Sequence, residues 1–304
     1  MSSIRVAIHQ SGTSFPASGR GRVFSSHAKA LNLAFDDDAE LATLVTEEQL
    51  MTVSSLLVSA AAADLRLATI DRGRAVEVHE GQLSFDSGLM LMFDASAARS
   101  FDGRIEPMRS RRRDSSRPGS PRPTPSTTTP LAVPRPRSPR PAQSLIDDLL
   151  EAVGGDTLGG HGEARAASPG VGLAPLAVAM RGGRPYPSEP PGADPFARGA
   201  WKVVRPILSG DIEPDALLDR AFSLVGLGGG FTPSGDDFLV GMLAARALLG
   251  EPSPAGASLE RLLGRCSATT LPGATILRQA LRGCFPAYLC RFARGFAALG
   301  TGAG

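Results

Sequence analysis

The residues best placed to do chemistry lie between Leu224 and Asp237, in the run Leu224-Val-Gly226-Leu-Gly228-Gly229-Gly230-Phe231-Thr232-Pro233-Ser234-Gly235-Asp236-Asp237. Glycines at 226, 228, 229 and 230 cost backbone entropy on folding, and a plain connection between helices does not need them. Glycine is needed where φ is positive or where a ligand must come close to the backbone. Thr232 or Ser234 can cap the helix that follows, Pro233 suits its first turn, and Asp236 and Asp237 then fall where a helix dipole favours carboxylates. Two chemistries follow. The exposed N–H groups of Gly226, Gly228, Gly229, Gly230 and Gly235, with the hydroxyls of Thr232 and Ser234, suit a small anionic metabolite at a helix N-terminus. Alternatively, Asp236 and Asp237 act as catalytic groups, with Asp236 as general base or as ligand to a hard cation such as Mg²⁺, and Asp237 as its support. A glycine hinge before an ordinary acidic first turn is the bland alternative. A phosphate-binding P-loop is excluded, since no lysine follows the glycines. A dinucleotide fingerprint is excluded because Phe231 stands where its third glycine belongs and because the loop follows a helical pattern.

A second set of hydroxyls, Ser267, Thr269 and Thr270, precedes Pro272 and another helical pattern. They suit a phosphate or carbamoyl group as well as they suit helix capping. His27 has the chemistry of an acid or base, but its place on a strand pattern points to a partly buried packing residue. Cys266, Cys284 and Cys290 form no CxxC pair, and an odd count argues against a disulfide framework. A reducing, cytoplasmic setting is expected.

Two kinds of element must position these residues. Before residue 106, short apolar runs separated by turn residues read as strands: Val23–Phe35, Leu41–Val45, Ser54–Val58, Ala75–Val78, Leu83–Phe85 and Leu89–Phe93. Their spacing suggests a small antiparallel barrel or sandwich. After residue 143 the period becomes helical, over Leu145–Val153, Gly170–Met180, Pro214–Val225, Phe238–Leu249 and Thr275–Phe296. On the Phe238–Leu249 helix, Phe238, Met242, Ala245 and Leu249 fall on one stripe. The expected class is therefore α+β. A β-rich domain spans 1–106 and a helical domain spans 143–304, and the two share a cleft.

Between them, 107–142 is dense in Pro, Ser and Arg, with the sequence pattern of a disordered linker. Residues 109–141 hold nine arginines and one aspartate, a local charge of +8. The chain's net charge is +2, so the remainder carries −6. An acidic folded part argues against nucleic acid as a partner. The longest apolar stretch, Leu56–Ala63, is broken by Ser59 and falls far short of a membrane span.

The loop also carries a resemblance. Gly226-Leu-Gly228 with Thr232-Pro-Ser-Gly-Asp-Asp-Phe-Leu-Val-Gly241 resembles the signature of a bacterial domain family that includes the AllH-type subunit of oxamate carbamoyltransferase, from allantoin degradation. Gly21-Arg-Val-Phe-Ser-Ser-His27-Ala-Lys-Ala-Leu-Asn32-Leu is similar to the family's N-terminal stretch. Ser267-Ala-Thr269-Thr270, followed by Leu277, Ala280 and Gly283, is similar to its later Thr-Thr segment. The resemblance covers about residues 20–95 and 200–300. It implies a carbamoyltransferase-type subunit acting on a small anion such as carbamoyl phosphate, with companion subunits. A non-catalytic, small-anion-binding or structural subunit is the alternative. The Arg/Pro/Ser stretch has no counterpart in the family pattern.

Overall fold

The computed structural model describes residues 2–35, 40–59, 70–108, 187–189, 195–209 and 214–300. Two compact units divide the chain, one formed by Met1–Met108 with Gly199–Gly304 and one by Arg109–Arg198. In the second unit, Arg198 pairs with Glu189 at 3.2 Å. Apart from residues 107 and 108, the linker expected over 107–142 lies outside the described residues, as do the helices expected over Leu145–Val153 and Gly170–Met180.

The first unit is α+β. Its N-terminal part is a closed eight-stranded barrel, with strands β1 (Ser2–Gly12), β2 (Ser18–Ser26), β3 (Ala30–Phe35), β4 (Glu40–Val45), β5 (Ser55–Val58), β6 (Ala75–His79), β7 (Gln82–Phe85) and β8 (Leu89–Asp94). Around the barrel the order is β1-β5-β4-β3-β2-β6-β7-β8, and β8 returns to β1. Most neighbours are antiparallel, but β1 runs parallel to β8 and β4 parallel to β5. A short ninth strand, β9 (Arg99–Phe101), continues along the β8 edge of β1.

Strand composition follows burial. On β6 the pattern alternates, with Val76 and Val78 inside and Ala75, Glu77 and His79 outside. On β3 and β4 it does not: Leu31, Leu33 and Phe35 fill the barrel, while Asn32 and Ala34 on the opposite face are buried too. A strand buried on both faces reads as a continuous apolar run, which is how Ala-Leu-Asn-Leu-Ala-Phe reads. Helices cover that outer face.

The helical part holds α1 (Pro195–Ser209), α2 (Pro214–Ala221), α3 (Ser234–Leu248), α4 (Gly256–Arg265), α5 (Leu271–Leu281) and α6 (Ala287–Gly300). Helix α5 lies on β4, and α3 packs on α5 and α6. A polar chain ties barrel to helix: Gln279 donates to Ser54 Oγ (2.9 Å), Ser54 Oγ to the Leu41 carbonyl (2.8 Å), and the Leu41 N–H to Thr275 Oγ1 (3.0 Å). All three side chains are buried, and each bond removes a desolvation cost that an apolar contact would not incur. Arg282 also pairs with Glu40 at 2.6 Å.

Four expectations need correction. The run Val23–Phe35 is a hairpin of β2 and β3 rather than one strand. Strand β1, which closes the barrel, was not expected at all, because its apolar content is one short run, Val6-Ala7-Ile8, flanked by polar residues, with Val6 and Ile8 buried. The helix expected over Thr275–Phe296 breaks at Gly283, whose φ is +75°. There the Phe285 N–H donates to Gly103 O (2.7 Å) and the Ala287 N–H to Met51 O (2.9 Å), so barrel loops compete for the helix's donors. On α3 the core stripe is Leu239, Val240, Leu243 and Leu248. The face carrying Leu249, 62% exposed, is the outer one. α3 is apolar on two sides, and periodicity alone does not choose between them.

Candidate functional site

The glycines of the 226–235 loop divide into two groups. At its base, Gly226 has φ +73° and a Cβ there would sit 2.6 Å from the Ala268 carbonyl oxygen. A Cβ on Gly235 would overlap the Leu224 carbonyl oxygen. These two positions are glycine because backbone packs on backbone. At the tip, Gly228 (φ +122°) and Gly230 (φ +104°) adopt conformations that disfavour side chains. Gly228, Gly229 and Gly230 are exposed, and nothing lies within 4 Å of a Cβ at Gly229. The tip therefore offers open backbone.

Asp236 and Asp237 differ sharply. Asp236 is 1% exposed. Its Oδ1 accepts from the Gly226 N–H at 2.8 Å and its Oδ2 from Thr269 Oγ1 at 2.5 Å. The carboxylate fits over the first turn of α5 because Gly273 has no Cβ there. It lies at the N-terminal ends of both α3 and α5, where helix dipoles favour negative charge. The protein thus supplies its own anion to this junction, and Asp236 staples the loop base to the Thr269 segment. Thr270 caps α5, accepting from the Gly273 N–H at 3.2 Å, and donates to the Phe231 carbonyl at 2.7 Å. Ser267 instead donates to Gly264 O at the end of α4 (2.8 Å), away from this cluster. No side chain caps α3, so neither Thr232 nor Ser234 takes that role.

Asp237, one residue on, is exposed. Even so, the protein around its carboxyl group raises its pKa, mainly by desolvation and next by the Asp236 charge, while a hydrogen bond from Thr232 pulls the other way. Its charge is felt at Tyr288, whose pKa is raised first by burial and then by Asp237. Thr232 and Tyr288 both line a cavity of about 370 Å³.

That cavity lies between the outer face of the barrel and the start of α5. Asn32 and Thr43 form the barrel wall, Pro272, Thr275 and Ile276 the helical wall, and His27, Phe231 and Tyr288 the rim. No lysine or arginine is among its lining residues. Phe231, 44% exposed, lies edge-on to His27 with ring centroids 5.8 Å apart, and 6.2 Å from Phe24. His27 is exposed, contrary to the packing role expected of it. Asn32, Thr43 and Tyr288 line the cavity without a sequence motif that marks them as site residues. The available signal was a lone asparagine in an otherwise apolar strand.

The described residues do not form a metal centre. Both oxygens of Asp236 are engaged, and no three of His, Cys, Asp and Glu converge among the described residues. Cysteine chemistry is disfavoured as well, since burial pushes the Cys266 and Cys290 thiols up to about 11.

Fold and site together define an α+β protein in which a buried carboxylate staple stands beside a small, uncharged cavity. Residues 224–300 match the family described as oxamate carbamoyltransferase subunit AllH. The match runs from the loop base to the end of α6 and takes in Asp236, Asp237 and the Thr269–Thr270 pair, while the β2–β3 stretch lies outside it. Searches of curated proteins and of solved structures gave no match. No helix among the described residues is long and apolar enough to cross a membrane.

Proposed function

We propose that the chain is a carbamoyltransferase-type subunit, of the oxamate carbamoyltransferase kind, and that its chemistry takes place at the rim of the barrel–helix cavity. The observation that carries this reading is that the matched segment, 224–300, supplies the helical wall of that cavity and the Phe231 and Tyr288 part of its rim, and also contains Asp237, which bonds the lining residue Thr232. A carbamoyl group presents an NH₂ with two donors, and an exposed carboxylate accepts both. Asp237 is the residue offered to it. Asp236 acts through position, holding the loop and Thr269 in place. The glycine tip 228–230, with Ser234, presents N–H and O–H donors to the anionic end of the substrate, while Thr232 holds Asp237.

Electrostatics favour companion subunits. A bare phosphate beside Asp237 is repelled, and the cavity lining carries no cation to offset that. A partner chain, or Mg²⁺ carried with the phosphate, would supply the positive charge that the described lining lacks. The non-catalytic reading, a small-anion-binding subunit, draws on the same open tip.

The test is oxamate-dependent phosphate release from carbamoyl phosphate, measured on the full chain alone and with the proteins encoded beside it. Release that needs this chain supports the catalytic reading. Release that persists when this chain is left out makes it a non-catalytic subunit.

A further inference from the structure

We infer that His27 is the proton-transfer residue of the cavity, held in place by Ser25 and Asn32. Strand β2 carries one extra residue: Val23 pairs with Leu33, and the next pair is Ser25 with Asn32, leaving Phe24 as a bulge. Because strand side chains alternate, a bulge reverses the facing of every residue beyond it. Val23 points into the barrel and is fully buried. Without the bulge Ser25 would follow it inward. With the bulge, Ser25 stands beside Asn32 on the face that forms the cavity wall.

Asn32 is 6% exposed and fixed from both ends. Its Oδ1 accepts from Thr43 Oγ1 at 3.0 Å, and its Nδ2 donates to Ser25 Oγ at 2.9 Å. Ser25 Oγ lies 3.2 Å from His27 Nε2. The His27 N–H donates to Ala30 O at 2.8 Å, which fixes the backbone under the ring, and Phe231 packs on the ring itself. Ser25 Oγ already accepts one hydrogen bond from Asn32, and we assign its second lone pair to Nε2–H. With the proton on Nε2, Nδ1 is the free base at the cavity rim. No partner for it lies among the described residues. Phe231, which packs on His27, and Thr232, which bonds Asp237, are consecutive and both line the cavity.

The role rests on the reading of the cavity as a carbamoyl-transfer site. Transfer to an amide or amine nitrogen forms the bond from that nitrogen to the carbamoyl carbon and breaks the bond from that carbon to the phosphate oxygen. Phosphate leaves with the electron pair, and the nitrogen must lose a proton. His27 Nδ1 takes it. Asp237 accepts from the carbamoyl NH₂.

Two measurements test this separately from the carbamoyl-transfer reading. In the full chain labelled with ¹⁵N-histidine, His27 is assigned by its loss in His27→Gln. Its ring should be held as the Nε2–H tautomer, should move on adding oxamate or carbamoyl phosphate, and should lose the tautomer bias in Ser25→Ala. A mixed-tautomer His27 indifferent to Ser25→Ala and to both probes overturns the inference, whatever the chain's activity. Where wild type transfers carbamoyl groups, His27→Gln should lower kcat about 100-fold or more with little change in KM. Wild-type turnover in that variant also overturns it. If wild type shows no transfer, the carbamoyl-transfer reading fails and the tautomer measurement alone decides for His27.

Discussion

Substituting Gly273 by alanine sets two effects of known size against each other. Gly273 lies in the first turn of α5, where alanine is the better helix former by about 0.5–1 kcal/mol. Its added Cβ would overlap Asp236 Oδ2 and come within 2.9 Å of Thr269 Oγ1 and 3.2 Å of Thr270 Oγ1. The carboxylate must then move, and the charged hydrogen bond from Thr269 is strained or lost, at about 1.5–3 kcal/mol. Steric loss exceeds propensity gain, for a net destabilisation of about 1–2 kcal/mol. The control is Gly241→Ala in α3, where nothing lies within 4 Å of the new Cβ and only the propensity gain of about 0.5–1 kcal/mol remains. Urea denaturation followed by circular dichroism should move the two midpoints in opposite directions, down for Gly273→Ala and up for Gly241→Ala. A Gly273→Ala midpoint at or above wild type would refute the staple, since it would mean that Asp236 does not rest on this helix turn.

Two further outcomes are expected. Gly229→Val should fold normally, because its Cβ meets open space, yet lose binding of carbamoyl phosphate by calorimetry. Gly228→Val should lose stability as well, from strain at φ +122°, and unaltered binding in both variants would remove the glycine tip from the site. Asp237 has a folded-state pKa raised above its ordinary value of 3.8, so the folded state holds its proton more tightly than the unfolded one. Its stability contribution is fully present below that ordinary value and is lost as pH rises through the raised one. Unfolding curves across that window should therefore be flatter in pH for Asp237→Asn than for wild type, and identical pH dependence would show the shift to be absent.

The sequence made the class and the candidate loop legible, and both depend on local pattern. Strands Glu40–Val45 and Leu89–Asp94 were visible because apolar β-formers sit between turn residues. Strand Ser2–Gly12 was not, since its pairing with Ser55–Val58 and Leu89–Asp94 is decided only when the barrel closes. The same limit governed the site. Glycine excess marked the loop, but two of its glycines answer to the Leu224 and Ala268 carbonyls, which no local rule anticipates. Asp236 and Asp237 are indistinguishable in a first helical turn by sequence. A helix turns about 100° per residue, so one faces Thr269 and Gly226 while the other faces out, and only the packing of α5 decides which. Sequence order favoured Asp236 as the reactive carboxylate; the structure buries it against Gly226 and Thr269, and in the proposed function the reactive part falls to Asp237. His27 and Asn32 became a pair through a one-residue bulge that the run Val-Phe-Ser-Ser-His does not announce.

The most direct test of the central claim compares Asp236→Asn with Asp237→Asn in oxamate-dependent phosphate release and in urea unfolding, with companion subunits present in the turnover assay. Asp237→Asn should keep or slightly raise its unfolding midpoint, since the ionised group is the less stable form there, and lose turnover on the order of 100-fold, the equivalent of one charged hydrogen bond to substrate. Asp236→Asn should lose about 1–3 kcal/mol of stability, because amide chemistry cannot reproduce two bonds to a buried carboxylate. Wild-type turnover in Asp237→Asn, together with an unchanged midpoint in Asp236→Asn, would contradict the assignment of one carboxylate to substrate and the other to the fold.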